Sequence, residues 1–121
     1  MELQRIVDQL RKINEVQAIY LFGSQNQGRA KPYSDTDLCV VTSYPLRRSV
    51  KEKILAHNAK KIDLSLFHSL PLNIQYRIVN TGKALFIRNH LEDHRLKVQV
   101  TIRYLDFKPL LNRVIEKAIA L

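Results

Sequence analysis

Residues 22–41 read Phe-Gly-Ser-Gln-Asn-Gln-Gly-Arg-Ala-Lys-Pro-Tyr-Ser-Asp-Thr-Asp-Leu-Cys-Val-Val, and the order of side-chain types in this stretch decides the fold. The apolar run 18–22 stops at Gly23-Ser24, the pattern of a buried strand that ends in a turn. Residues 25–34 are polar and contain Gly28 and Pro32, which predicts a short helical turn and a loop. Asp35-Thr36-Asp37 then stands at the entrance of a second apolar run, 38–42. The result is strand, turn, loop, strand, with two carboxylates at the mouth of the second strand.

Upstream, Leu3, Ile6, Val7, Leu10 and Ile13 recur at helical spacing, so residues 2–14 are expected to form an amphipathic helix. Downstream, residues 46–61 have helical character, and 62–67 alternate in the manner of a third strand. Pro71 suits the first turn of a helix that stops at Gly82, and residues 84–87 form a fourth, shorter strand. From His90 onward the chain is helix-compatible, with a break expected at Pro109 before a last helix bearing Leu110, Leu111, Val114, Ile115 and Ile119. These elements predict an α/β (α+β) fold with a short mixed sheet of about four strands flanked by helices. Residues 1–121 form one domain, with the helices from about 90 packing on it or on a partner.

A length of 121 residues suits a single modest core, and 45% hydrophobic with 26% charged residues is the profile of an ordered globular chain. The formal charge of +9 favours an anionic partner: a nucleotide, a nucleic acid or an acidic protein. It is spread along the chain, with ten basic and six acidic residues in 1–60 and ten and five in 61–121, so no basic arm is indicated. Lone Cys39 excludes an intramolecular disulfide, the N-terminus lacks the apolar core of a signal peptide, and no run is long enough to span a membrane. The expected location is the cytoplasm.

Asp35 and Asp37 flank one residue and so project to the same side of an extended chain, where both can reach one ion. Hard oxygen ligands in this number suit Mg²⁺, which commonly takes one or two carboxylates and fills its shell with water and substrate phosphates. Two ions can clamp the attacking and leaving oxygens of a displacement. Asp63 is a conspicuous acid in the otherwise apolar run 62–66. On an adjacent strand it would join the pair, as a ligand of a second ion or as the acceptor of a hydroxyl proton. Gly23 lets backbone N–H groups approach a phosphate, and the Ser24 hydroxyl adds a donor. Alone, a Gly-Ser dipeptide is an ordinary turn, and an Asp-x-Asp is usually a turn or a helix cap.

The joint pattern is far more specific. Gly23-Ser24, ten intervening residues, then Asp35-Thr36-Asp37 resembles the signature of the polymerase-β-like nucleotidyltransferase superfamily. Together with residues 60–86, the stretch is similar to the small stand-alone minimal nucleotidyltransferase (MNT) domains, a likeness that covers about residues 1–110. The resemblance implies the nucleotidyltransferase fold. It also implies Asp35, Asp37 and Asp63 as catalytic and metal-binding residues, with Gly23 and Ser24 at the triphosphate of ATP and Mg²⁺, two ions, as cofactor. It further implies an antitoxin that pairs with a separate HEPN-domain ribonuclease toxin and transfers AMP to a toxin tyrosine. Many members carry a basic residue where this chain has Gln27; Arg29 and Lys31 in the same loop are the electrostatic substitutes, with Arg29 the candidate nucleotide contact. The alternative is an MNT-like antitoxin, catalytically weak or inactive, that neutralises its toxin by binding alone. Direct RNA binding is a third reading and predicts steep salt dependence.

Other residues have plainer roles. His90 and His94 are four apart but lack the His-Glu-x-x-His order, which favours solvated histidines over zinc ligands. Cys39 in an apolar strand reads as a small buried hydrophobe. Arg47, Arg48, Lys51 and Lys53 read as a solvated face, and Tyr20, Phe22, Phe67 and Phe86 as core. Tyr33 is the one aromatic placed to touch a nucleotide.

Overall fold

The computed structural model describes residues 2–23, 36–58 and 61–119. The elements run α1 (Glu2–Leu10), β1 (Val16–Phe22), β2 (Thr36–Thr42), α2 (Arg48–Leu55), β3 (Ile62–Leu66), α3 (Leu72–Thr81), β4 (Lys83–Ile87) and α4 (His90–Ile119), with a 3₁₀ turn at Phe67–Ser69. The four strands form one mixed sheet in the order β3-β2-β1-β4. β1 pairs antiparallel with both β2 and β4, while β2 and β3 are parallel. The parallel step requires a crossover, and α2 supplies it.

Strand alternation sends side chains to two apolar layers, one on each face of the sheet. Val16, Ile19, Leu38, Val40, Leu64 and Leu66 pack beneath α1 and α2, against Ile6, Val7, Leu10 and Ile54. Ala18, Tyr20, Cys39, Val41 and Phe67 face the other way, against Ile78 of α3 and Val100 of α4. With both faces covered, β2 is buried from Leu38 to Thr42, which is why it reads as a continuous apolar run.

The strand ends shift by one or two residues from the sequence expectation, and three helices depart from it further. The periodicity of the first helix extends to Ile13, but regular helix stops at Leu10; tight turns, including Ile13 N–H to the Leu10 carbonyl at 3.0 Å, then carry Ile13 into the core. The second helix is limited to Arg48–Leu55 rather than 46–61. Turns at His57 and Asn58 end it, and the Asn58 side-chain oxygen accepts the Leu64 N–H at 2.7 Å, tying the loop to β3.

The break expected at Pro109 does not occur, and α4 is one helix of 30 residues with Pro109 inside it. Proline removes the donor for the Leu105 carbonyl, but Leu105 is exposed, so water can take that place. The residues after it, Leu-Leu-Asn-Arg-Val-Ile-Glu-Lys, are mostly good helix formers. At the other end, the Asn89 side chain accepts the N–H groups of Leu91 and Glu92 at 3.0 and 3.1 Å and caps the helix. Among the described residues no helix is long and apolar enough to cross a membrane.

Candidate functional site

β1 delivers Gly23 and β2 delivers Asp37 to the same end of the sheet, where Phe22 and Asp37 are register partners. Gly23 has φ +83°, a conformation that costs a residue with a Cβ roughly 1–2 kcal/mol. It is also packed against the carboxylate: a Cβ on Gly23 would lie 2.6 Å from Asp37 Oδ2. The glycine is therefore required twice, by backbone conformation and by the acid it makes room for.

β3 adds the third element. Asp37 and Asp63 are register partners in the parallel β2–β3 pair, which places their Cα atoms on neighbouring strands about 4.8 Å apart and sends both side chains to one face. That face is the one carrying Cys39, two residues further along β2 than Asp37. Asp63 is exposed and Asp37 partly exposed, so both carboxylates stand at the open rim of the sheet. Two adjacent acids concentrate negative charge and favour a cation. Their hard oxygen donors and the clearance that Gly23 leaves beside Asp37 fit a Mg²⁺ ion.

Of the predicted site residues, Gly23, Asp37 and Asp63 are thus gathered at one end of the sheet. Asp35, Ser24 and Arg29, together with Gln27, Lys31 and Tyr33, lie outside the described residues. Among the described residues, no group of three or more His, Cys, Asp or Glu side chains forms a potential metal cluster.

Sequence reasoning did not find a second polar cluster, on the same face. The buried Tyr20 hydroxyl donates to the Asp93 carboxylate of α4, and Lys97 Nζ lies 3.0 Å from the other Asp93 oxygen. The Lys97 ammonium also sits 5.3 Å above the Tyr20 ring. Burial, reinforced by Asp93, raises the Tyr20 phenol far above its ordinary range. Burial alone pushes the neighbouring Cys39 thiol up to about 12, so this cysteine stays protonated and inert, as its apolar strand predicts.

Beyond Asp93 a cleft of 550 Å³ opens between the start of β1, the end of β2 and the first turns of α4, bordered by Gln17, Ser43, His68, Glu92 and Gln99. It lies at the opposite end of β1 and β2 from Asp37. Arg88 was likewise silent in the sequence. Its guanidinium donates to the carbonyls of Val16, Arg11 and Ile13 at 2.9, 2.7 and 3.2 Å, which fixes the turn leading into β1.

The basic face of α2 is solvated as expected. Arg48 pairs with Glu52 at 3.1 Å and Arg47 with Glu15 at 3.6 Å, and both arginines are largely exposed.

Comparison with known proteins places this geometry in a family. A protein of Methanocaldococcus jannaschii named as a protein adenylyltransferase is 31% identical over 74 residues, spanning 61% of this chain and 58% of the relative. Among solved structures, a toxin–antitoxin complex with AMP-PNP superposes with a TM-score of 0.74 at 22% identity, covering 98% of this chain and 96% of the matched one. The complex of a tri-AMPylated Shewanella oneidensis HEPN toxin with an MNT antitoxin gives 0.68 at 20% identity, covering 98% and 99%. At such identities these likenesses speak for the fold. The family model of the polymerase beta nucleotidyltransferases matches residues 4–91, which take in Gly23, Asp37 and Asp63, and this chain belongs to that family.

Proposed function

We infer that this chain transfers AMP from ATP to a hydroxyl group of a partner protein, with a tyrosine of a HEPN toxin as the acceptor, and so acts as an antitoxin. The observation that carries the reading is the pairing of Asp37 with Asp63 on parallel strands, beside a glycine whose conformation clears space at the Asp37 carboxylate. The named adenylyltransferase relative, the AMP-PNP complex and the AMPylated toxin complex support it.

In this reading the acceptor oxygen attacks the α-phosphorus, the new O–P bond forms, and the bond to pyrophosphate breaks. Asp63, exposed at the rim, accepts the acceptor's proton directly or through one water. Asp37, with Asp35, holds Mg²⁺, which when bound neutralises triphosphate charge and orients the phosphates. Gly23 and Ser24 present backbone N–H groups and a hydroxyl to the phosphates. Arg29 adds charge on the same loop.

Gln27 supports a second reading, in which triphosphate affinity is too weak for turnover and the antitoxin neutralises by contact alone. Intact-mass spectrometry of the HEPN partner, incubated with this protein, ATP and Mg²⁺, separates the two. Transfer predicts an AMP-sized mass gain that falls at least about 100-fold with Asp37→Asn. No gain, in a complex that remains stable, would establish the contact-only antitoxin.

A further inference from the structure

Apart from Tyr44, every exposed large hydrophobic side chain among the described residues lies on α4. Their positions along the helix are ordered. Val100 is buried in the domain and Tyr104 stacks on Tyr76 of α3, with ring centroids 4.0 Å apart. Continuing at alternating steps of three and four, the same line passes through Phe107, Leu111 and Val114, the spacing of a helix–helix seam. These three are 41%, 38% and 58% exposed, and Leu110 and Ile115 widen the stripe on either side. The seam that joins α4 to α3 therefore runs on past the end of α3 with its apolar surface bare.

The charges beside this stripe select its occupant. With about 100° of turn per residue, Arg103, Lys108 and Lys117 fall about 60°, 80° and 100° from the midline, and all are cationic. Asp106 and Glu116 lie further round, at about 120° and 160°. A second copy of this chain laid along the stripe would bring these cations against one another, and each copy carries +9 in total. An apolar seam edged with cations fits a helix edged with carboxylates.

We propose that the 104–118 face of α4 is the docking site for an amphipathic helix of a partner protein, apolar along its seam and acidic on its flanks. The contact extends the α3–α4 packing by adding a helix at the end of α3. It goes beyond the transfer reading and does not depend on it, because these residues lie on the distal half of α4 while Gly23, Asp37 and Asp63 lie at the sheet rim.

Two synthetic helical peptides test the proposal on the full chain: one with a leucine seam flanked by glutamates, the other with lysines in their place. Fluorescence anisotropy should show the acidic peptide binding at least about tenfold more tightly than the basic one, with affinity falling as salt is raised. Leu111→Glu combined with Val114→Glu should weaken that binding at least about tenfold. Ile102→Glu, on the opposite side of α4, should leave it unchanged, and circular dichroism should show all variants folded.

Equal binding of both peptides, no binding, or equal loss with Ile102→Glu would overturn the proposal. So would sedimentation showing a homodimer that the Leu111→Glu, Val114→Glu variant dissolves, since the occupant would then be a second copy.

Discussion

The sheet carries two carboxylate arrangements on one face, and they are built in opposite ways. At one end, Asp37 and Asp63 are adjacent acids on neighbouring strands, open to solvent at the rim. At the other, Asp93 is shut between α4 and the sheet, with the Tyr20 hydroxyl and the Lys97 ammonium on its oxygens. A buried charge is tolerable only when its partners come with it. Adjacent acids at a rim instead hold charge for a cation from outside. In the proposed transfer the first arrangement is the one that meets metal and acceptor, whereas the second ties α4 to β1.

The contrast predicts its largest effect at Gly23. Gly23→Ala must place a methyl 2.6 Å from Asp37 Oδ2 in a left-handed backbone, so the carboxylate has to shift. AMP transfer should fall on the order of 100-fold, while the stability lost, measured by urea denaturation, stays near 1–2 kcal/mol. A variant with full transfer activity would remove Asp37 from the mechanism.

Between the two ends lie Tyr20 and Cys39, which predict how stability depends on pH. In the unfolded chain the thiol ionises near 9.0, whereas burial in the fold pushes it up to about 12. Across that window the unfolded state releases a proton that the native state keeps. The contribution is complete below pH 9 and is lost as pH rises toward 12, by up to about 1.4 kcal/mol per pH unit. Tyr20 acts in the same direction from its unfolded value of 10.0 upward. Urea denaturation at pH 8, 9 and 10 should show the decline begin above pH 9, and Cys39→Ala, though less stable overall, should show a shallower one.

Asp93→Asn keeps the shape of the side chain and removes its charge, leaving Lys97 beside a neutral amide and the Tyr20 hydroxyl with a weaker acceptor. The expected cost is about 1–3 kcal/mol in unfolding free energy with AMP transfer unchanged. Loss of transfer at unchanged stability would show that the two ends of the sheet are not separate.

How much of this was legible in the sequence follows the same division. Strands β1 to β3 and the Asp37–Asp63 neighbourhood were legible because they depend on local alternation and on acids interrupting apolar runs. Asp63 was expected near the pair from the run Ile62-Asp63-Leu64-Ser65-Leu66 on an adjacent strand, and the parallel register sets it opposite Asp37. Asp93 was not legible: its hydroxyl partner is 73 residues away, and an acid in the first turn of a helix looks like ordinary dipole compensation. Arg88 bonds carbonyls 72 to 77 residues away, and carbonyls leave no trace in side-chain patterns. Pro109 misled because proline's helix-breaking cost is large in a buried helix and smaller where water can satisfy the freed carbonyl. The roles of Gly23, Asp37 and Asp63, like those of Asp35, Ser24 and Arg29, rest on the family resemblance and their spacing.

The smallest predicted effect isolates burial as the variable. Arg48–Glu52 and Lys97–Asp93 are both helical pairs four residues apart, at 3.1 and 3.0 Å. They differ in surroundings: the side chain of Glu52 is 67% exposed and that of Asp93 7%. Distance alone would rank them equal. The exposed pair competes with water and salt at each end and must hold two long side chains in one geometry, so Arg48→Ala should change unfolding free energy by less than about 0.5 kcal/mol. Raising ionic strength should shrink even that difference, while the Asp93→Asn cost persists because its surroundings admit little salt. Equal costs for Arg48→Ala and Asp93→Asn would mean that the Tyr20 hydrogen bond and the enclosure of Asp93 contribute nothing, and that α4 is held to the sheet by its apolar contacts alone.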